Sequence, residues 1–267
     1  MAEHEHRDDP LHVREIGDSG ERVIFLHGLF GQGKNFTTIA KDLRPDLRST
    51  LVDLPNHGRS AWTDSVDYVA TADVIAAWWR ETYAEPAHLV GHSMGGKVAM
   101  VLALRHPDLV DRLVVVDISP TQSEGTGESG EFAHLLDSLA ALDLATLERR
   151  GEADERLAER VDDARVRGFL LQNLHQQGEE FSWRANLDLL REGLPVIGGF
   201  PELDATFDHP VLWIAGERSD YVQDAHDPAM RALFPRTRQL TIKGAGHWVH
   251  AERPEAFTAS LRVFLTA

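Results

Sequence analysis

Short β-branched apolar runs alternate with helix-length segments along most of this chain. The runs are Arg22–Leu26 (RVIFL), Ser49–Asp53 (STLVD), His88–Gly91 (HLVG), Leu113–Asp117 (LVVVD), Val211–Ala215 (VLWIA) and Arg238–Ile242 (RQLTI). Leu11–Ile16 is a weaker run and reads as an edge strand. Brief apolar runs bounded by turn residues suit strands buried on both faces of a parallel sheet. Between them, Asn35–Leu43, Ala70–Tyr83 and Lys97–His106 carry helical periodicity. The alternation predicts an α/β fold with a doubly wound, mostly parallel sheet of seven or eight strands.

The rhythm breaks between Ser119 and His209, where no run reads as a strand. Phe132–Arg149, Glu155–Leu174 and Trp183–Glu192 read instead as helices. The pattern therefore divides the chain into a sheet core over 11–118 and 209–267 and a helical cap over 119–208. The cap is expected after strand six. Its opening stretch, Thr121–Gly130 (TQSEGTGESG), is small and polar and reads as a mobile linker. The charged run Glu148–Arg167 reads as a solvated helix face. Residues 1–10 are polar and read as a disordered tail rather than a secretory leader.

Composition narrows the chemistry. The chain of 267 residues contains no cysteine, which excludes disulfides, thiol catalysis and Cys-ligated zinc and fits a cytoplasmic location. A formal net charge of −16 argues against a nucleic-acid partner. No segment is apolar for long enough to span a bilayer. Oligomeric state is not legible. Fourteen histidines include no H-E-x-x-H or comparable ligand spacing, so no metal and no organic cofactor is expected. His4-Glu5-His6 reads as part of the tail.

One motif dominates. The apolar run Ala87–Val90 leads into Gly91-His92-Ser93-Met94-Gly95-Gly96 and then a helical segment. A strand, a G-x-S-x-G turn and a helix form a nucleophile elbow, in which the tight turn lifts the serine hydroxyl clear of the sheet. Larger side chains at Gly91 or Gly95 are expected to collide with the strand and the helix. A serine needs a base, and His247 in Gly244-Ala245-Gly246-His247-Trp248 follows the last strand, at the sheet end that carries ligand-facing loops. Oxyanion donors are expected from the backbone N–H groups of Met94 and of Leu29, in His27-Gly28-Leu29-Phe30-Gly31. Phe30, Met94 and Trp248 should flank the site, with Phe181 and Trp183 added from the cap.

These residues resemble a serine hydrolase of the α/β-hydrolase superfamily, over essentially the whole chain. The motifs are most similar to those of small acyl esterases, which in bacteria also act on acyl thioesters. They are HGLFG at 27–31, NHGRS at 56–60, GHSMGGKVAM at 91–100, DISP at 117–120, FSWRANL at 181–187 and GAGHW at 244–248. The resemblance implies a cofactor-free hydrolase with a helical cap that cleaves small to medium acyl esters through an acyl-enzyme on Ser93. A thioester hydrolase on the same triad is the alternative. A serine nucleophile in place of an aspartate argues against dehalogenase or epoxide-hydrolase chemistry.

The acid is less plain. Many superfamily members place it three residues after the glycine ending the seventh strand, and here Gly216-Glu217-Arg218-Ser219-Asp220 puts Ser219 at that place, with Asp220 one residue late. The similar esterases imply Asp117 instead, with a serine such as Ser219 as an auxiliary contact. Asp117 ends a buried apolar run, which favours it; Asp220 stays open as the alternative. Two readings of another class stand beside this one. Gly28–Asn35 (GLFGQGKN) nearly fits the phosphate loop G-x-x-x-x-G-K-[ST], but Asn35 lacks the hydroxyl that meets the metal. A non-catalytic binding module leaves the Ser93 and His247 motifs without a purpose.

Overall fold

The computed structural model describes residues 10–83, 85–122 and 128–267. Residues 1–9 of the expected tail, His4-Glu5-His6 among them, and the middle of the expected linker, residues 123–127, lie outside the described residues. Strands β1 (Val13–Ile16), β2 (Glu21–Leu26) and β3 (Leu47–Val52) come first, with helix α1 (Thr37–Asp42) between the last two. Helix α2 (Tyr68–Thr82), β4 (Ala87–His92), α3 (Met94–Arg105) and β5 (Val110–Val116) follow.

The insert after β5 holds α4 (Glu128–Ala140), α5 (Arg150–Leu157) and α6 (Ala164–Leu171). A hairpin of β6 (Leu174–Gln177) and β7 (Glu180–Trp183) comes next, then α7 (Leu187–Glu192) and α8 (Leu194–Gly198). The chain returns to the sheet through β8 (Val211–Gly216), α9 (Asp227–Leu233) and β9 (Thr237–Ile242), and ends with α10 (Val249–Glu252) and α11 (Pro254–Leu265).

The main sheet has seven strands in the order β1-β3-β2-β4-β5-β8-β9, and the insert follows the fifth of them in chain order. Only the β1–β3 pair is antiparallel. The order reverses at β2, so the loops after β2 and β4 leave the sheet side by side at the switch point where open α/β sheets bind ligands. Register sharpens this. Leu26 pairs with Gly91, His92 with Val116, and Val116 with Ile214, so the next residue of each strand emerges at nearly one level.

Alternation along the strands feeds two cores. Ile24, Leu26, Leu89, Val115 and Trp213 face one layer, which α2, α3 and the insert cover. Val23, Phe25, Val90, Val114 and Ile214 face the other, under α1 and α11. The outer strands β1 and β9 carry exposed residues, as edges should.

Two expectations for the insert change. It contains a β-hairpin where no strand was expected, because each arm is only four residues long and too short for a period to show. Gly178, with φ 61°, supplies the left-handed turn that joins them. The helix expected over Glu155–Leu174 is two helices, since Asp163 caps α6 by accepting from the N–H groups of Arg165 and Val166. Among the described residues, no helix is long and apolar enough to cross a membrane.

Candidate active site

Ser93 stands between β4 and α3 with φ 53° and ψ −123°, a conformation that L-residues adopt only under constraint. Its N–H donates to Val116 O at 3.0 Å, and its carbonyl accepts from Gly96 N–H at 2.8 Å. The glycines make the turn possible. A Cβ on Gly91 would lie 2.3 Å from Gly95 O, and one on Gly95 would lie 2.4 Å from His27 O. The hydroxyl thus sits at the positive end of a twelve-residue helix, where negative charge is favoured.

Asp117 follows β5 directly, also at a positive φ of 53°, and is fully buried. Its carboxylate is saturated with donors. Oδ1 accepts from Gly216 N–H at 2.9 Å, while Oδ2 accepts from His247 Nδ1–H at 2.8 Å and from the Ser219 hydroxyl. Three donors hold this buried carboxylate aimed at His247. Asp220, by contrast, is exposed, and its backbone carbonyl accepts from Gln223 Nε2. Of the two expected acids, Asp117 is therefore the one the fold brings to His247.

His247 is held on three sides. Asp117 binds its Nδ1, Tyr221 stacks on its ring at 4.0 Å, and the His92 Nε2–H donates to its backbone carbonyl at 2.9 Å. Nε2 is left as the proton acceptor. His92 stays neutral because burial, then the neighbouring His250 and His247 rings, push its pKa well down. A neutral ring here adds no positive charge beside His247.

The loop after β2 is built around one peptide plane. Gly28 O accepts from His27 Nδ1–H at 2.8 Å and from Gly31 N–H at 2.9 Å. These two bonds lock the Gly28–Leu29 peptide, whose other edge is the Leu29 N–H. Gly28 packs so close to the elbow that a Cβ would fall 3.0 Å from Ser93 Cβ. Phe30 takes φ 62°, and its carbonyl accepts from Asn173 Nδ2 at 2.8 Å and Gln172 Nε2 at 3.1 Å. Gln32 and Asn35 bond the same two cap residues, at 3.0 Å to Asn173 Oδ1 and 2.9 Å to Gln172 Oε1. The Gly33 N–H donates to Asp53 Oδ1 at 2.7 Å. The run that resembles a phosphate loop is thus occupied by a carboxylate and by the cap.

Two adjoining cavities share Leu29, Ser93 and Phe132. One continues past Met94, Ile118, Ile197 and Tyr221; the other opens between Phe30, Phe169, His247 and Trp248. Phe30, Met94 and Trp248 therefore lie where expected. Phe181 and Trp183 line neither cavity: they belong to the hairpin and pack, partly buried, against the cap core. Positions two apart on a strand share a face, so Phe181 and Trp183 lie on the same side of this hairpin. Sequence reading missed Phe132, Phe169 and Tyr221, which nothing marks in the sequence because they reach the site from separate elements. Among the described residues no cluster of His, Asp and Glu could hold a metal ion.

Comparison with known proteins bears on the family and on the class of reaction. Residues 21–254 match the family model described as alpha/beta hydrolase fold. The chain is 40% identical over 249 residues to the mouse sn-1-specific diacylglycerol lipase ABHD11, covering 91% of this chain and 80% of that one. It is 34% identical over 243 residues to the esterase YbfF of Escherichia coli strain K12, covering 91% and 92%. A solved marine microorganism esterase superposes with a TM-score of 0.92 at 33% identity, covering 96% of this chain and 99% of that one.

Proposed function

This chain belongs to the α/β-hydrolase family and is an ester hydrolase, and we propose that it works through a Ser93–His247–Asp117 triad on small to medium acyl esters. The observation that carries the residue assignment is the 2.8 Å bond from His247 Nδ1–H to buried Asp117, with His247 and Ser93 lining one cavity.

His247 Nε2 takes the Ser93 proton as Oγ attacks the ester carbonyl. The C=O π pair moves to oxygen, which sits between the N–H groups of Leu29 and Met94. His247 then gives its proton to the departing alkoxide, leaving an acyl group on Ser93. Water attacks that acyl carbon while His247 takes its proton, and the carboxylic acid leaves as Ser93 recovers its hydrogen. Asp117 accepts from Nδ1–H and so fixes the ring with Nε2 turned to Ser93. Ser219 keeps Asp117 Oδ2 turned toward the histidine.

A cavity beside Ser93 lined mostly by apolar residues supports small to medium acyl groups, and the relatives' names, a diacylglycerol lipase and an esterase, are both those of carboxylic ester hydrolases. The cysteine-free composition supports placing the enzyme in the cytoplasm. The test is labelling with a fluorophosphonate and mapping by mass spectrometry, with turnover of p-nitrophenyl esters and acyl-CoA measured alongside. The label is expected on Ser93 and absent from Ser93→Ala; a label on another residue sinks the assignment.

A further inference from the structure

Helix α3 is buried along almost its entire length, yet one residue in that run is charged. Lys97, four residues after Ser93, is 1% exposed. Its ammonium group meets backbone carbonyls: Gly199 O at 2.7 Å, Gly198 O at 2.8 Å, Ile197 O at 3.3 Å and, more weakly, Thr121 O at 3.5 Å. The first three belong to the end of α8 and the residue after it, where the last carbonyls of a helix lack partners within the helix. The fourth lies at the opposite end of the insert. A second buried donor serves the same place, since Tyr68 on α2 gives its hydroxyl proton to Ile197 O at 2.8 Å.

What these donors hold is a wall of the site. Leu194, Ile197 and Gly198 of α8 line the larger cavity beside Ser93, and Lys97 lines it with them. A cation at a helix C-terminus is favoured by the aligned peptide dipoles, and these carbonyls replace part of the water it loses on burial. An apolar residue at position 97 would fill the same space but take this donor from the partly buried Gly198 and Gly199 carbonyls and leave Ile197 O with Tyr68 alone. Those carbonyls recover partners most readily if α8 moves outward to meet water.

We propose that Lys97 and Tyr68 are positioning residues that pin α8 against the nucleophile helix and so set the length of acyl chain the pocket accepts. This rests on the reading of that cavity as the acyl pocket. Lys97→Met and Tyr68→Phe are compared with the wild type on p-nitrophenyl butyrate and decanoate, with folding checked by circular dichroism. In Lys97→Met the ratio of kcat/KM for decanoate to that for butyrate rises about tenfold, with the change carried by KM. In Tyr68→Phe it rises about threefold. Folded variants whose ratio stays within twofold of wild type overturn the inference. If Lys97→Met does not fold, Tyr68→Phe, which removes one oxygen and keeps the ring, decides alone. A wild-type protein that hydrolyses neither ester overturns the acyl-pocket reading itself, and the inference with it.

Discussion

The sharpest choice in the site lies between two neighbouring kinds of residue, a carboxylate at a strand end and a carboxylate in a loop. Asp117 leaves β5 in a left-handed conformation that turns its side chain across β8 toward His247, and Gly216 and Ser219 meet it there. Replacing it with asparagine would present His247 with the wrong tautomer, at a cost in kcat of about 10⁴. Asp220→Asn is expected to stay within twofold of wild type. Steady-state kinetics of the two purified variants check this, and a dead Asp220→Asn beside an active Asp117→Asn reverses the roles. Ser219→Ala removes one donor to a charged acceptor. It should lower kcat by about tenfold, in line with the modest value of a single hydrogen bond to a charge.

At the scale of elements, the elbow is a collision narrowly avoided. Gly91 lies under Gly95, and Gly95 lies under the backbone of Leu26 and His27, so β4, α3 and the loop after β2 meet without side chains between them. Gly95→Ala cannot be relieved by a rotamer change, because the obstructing atoms are backbone. The expected outcome is a loss of stability of about 3 kcal/mol or more, or failure to fold, measured as the shift of the urea midpoint. Gly130→Ala, whose added Cβ has nothing within 4 Å, should be neutral to slightly stabilising in helix α4 and serves as the control.

Taken whole, the molecule buries imidazoles as neutral rings. Burial lowers the pKa of His57 to about 3 and of His250 to about 4, and lowers those of His27, His88 and His92 from the ordinary 6.5. Each ring is protonated in the unfolded chain near pH 6.5 and resists protonation in the fold. The unfolded state therefore gains protons first as pH falls, and stability, full above about pH 6.5, declines steadily toward pH 4. His250 alone contributes on the order of 3 kcal/mol across that window. Thermal unfolding between pH 4 and 8 should show the midpoint falling below pH 6.5, and His250→Phe should flatten the slope. A midpoint independent of pH over 4–6.5 contradicts this account.

Much of this was local enough to read from the chain. Apolar runs and their spacing determined the sheet, because burial on both faces demands continuous β-branched stretches. GHSMGG determined the elbow, because a turn that tight permits only glycine at its close approaches. GAGHW marked the histidine, since the loop after the last strand opens at the ligand-binding end. Other features needed the folded molecule. That Asp117 rather than Asp220 meets His247 depends on the backbone twist after β5 and on β8 lying beside it. That Phe181 and Trp183 face the cap core, while Phe132, Phe169 and Tyr221 reach the cavities, follows from how the insert packs. Lys97 stands within GHSMGGKVAM, yet its role is not legible there, because these partners lie about a hundred residues away at the end of α8. Local pattern reports which residues must be buried; only packing decides which buried residues meet.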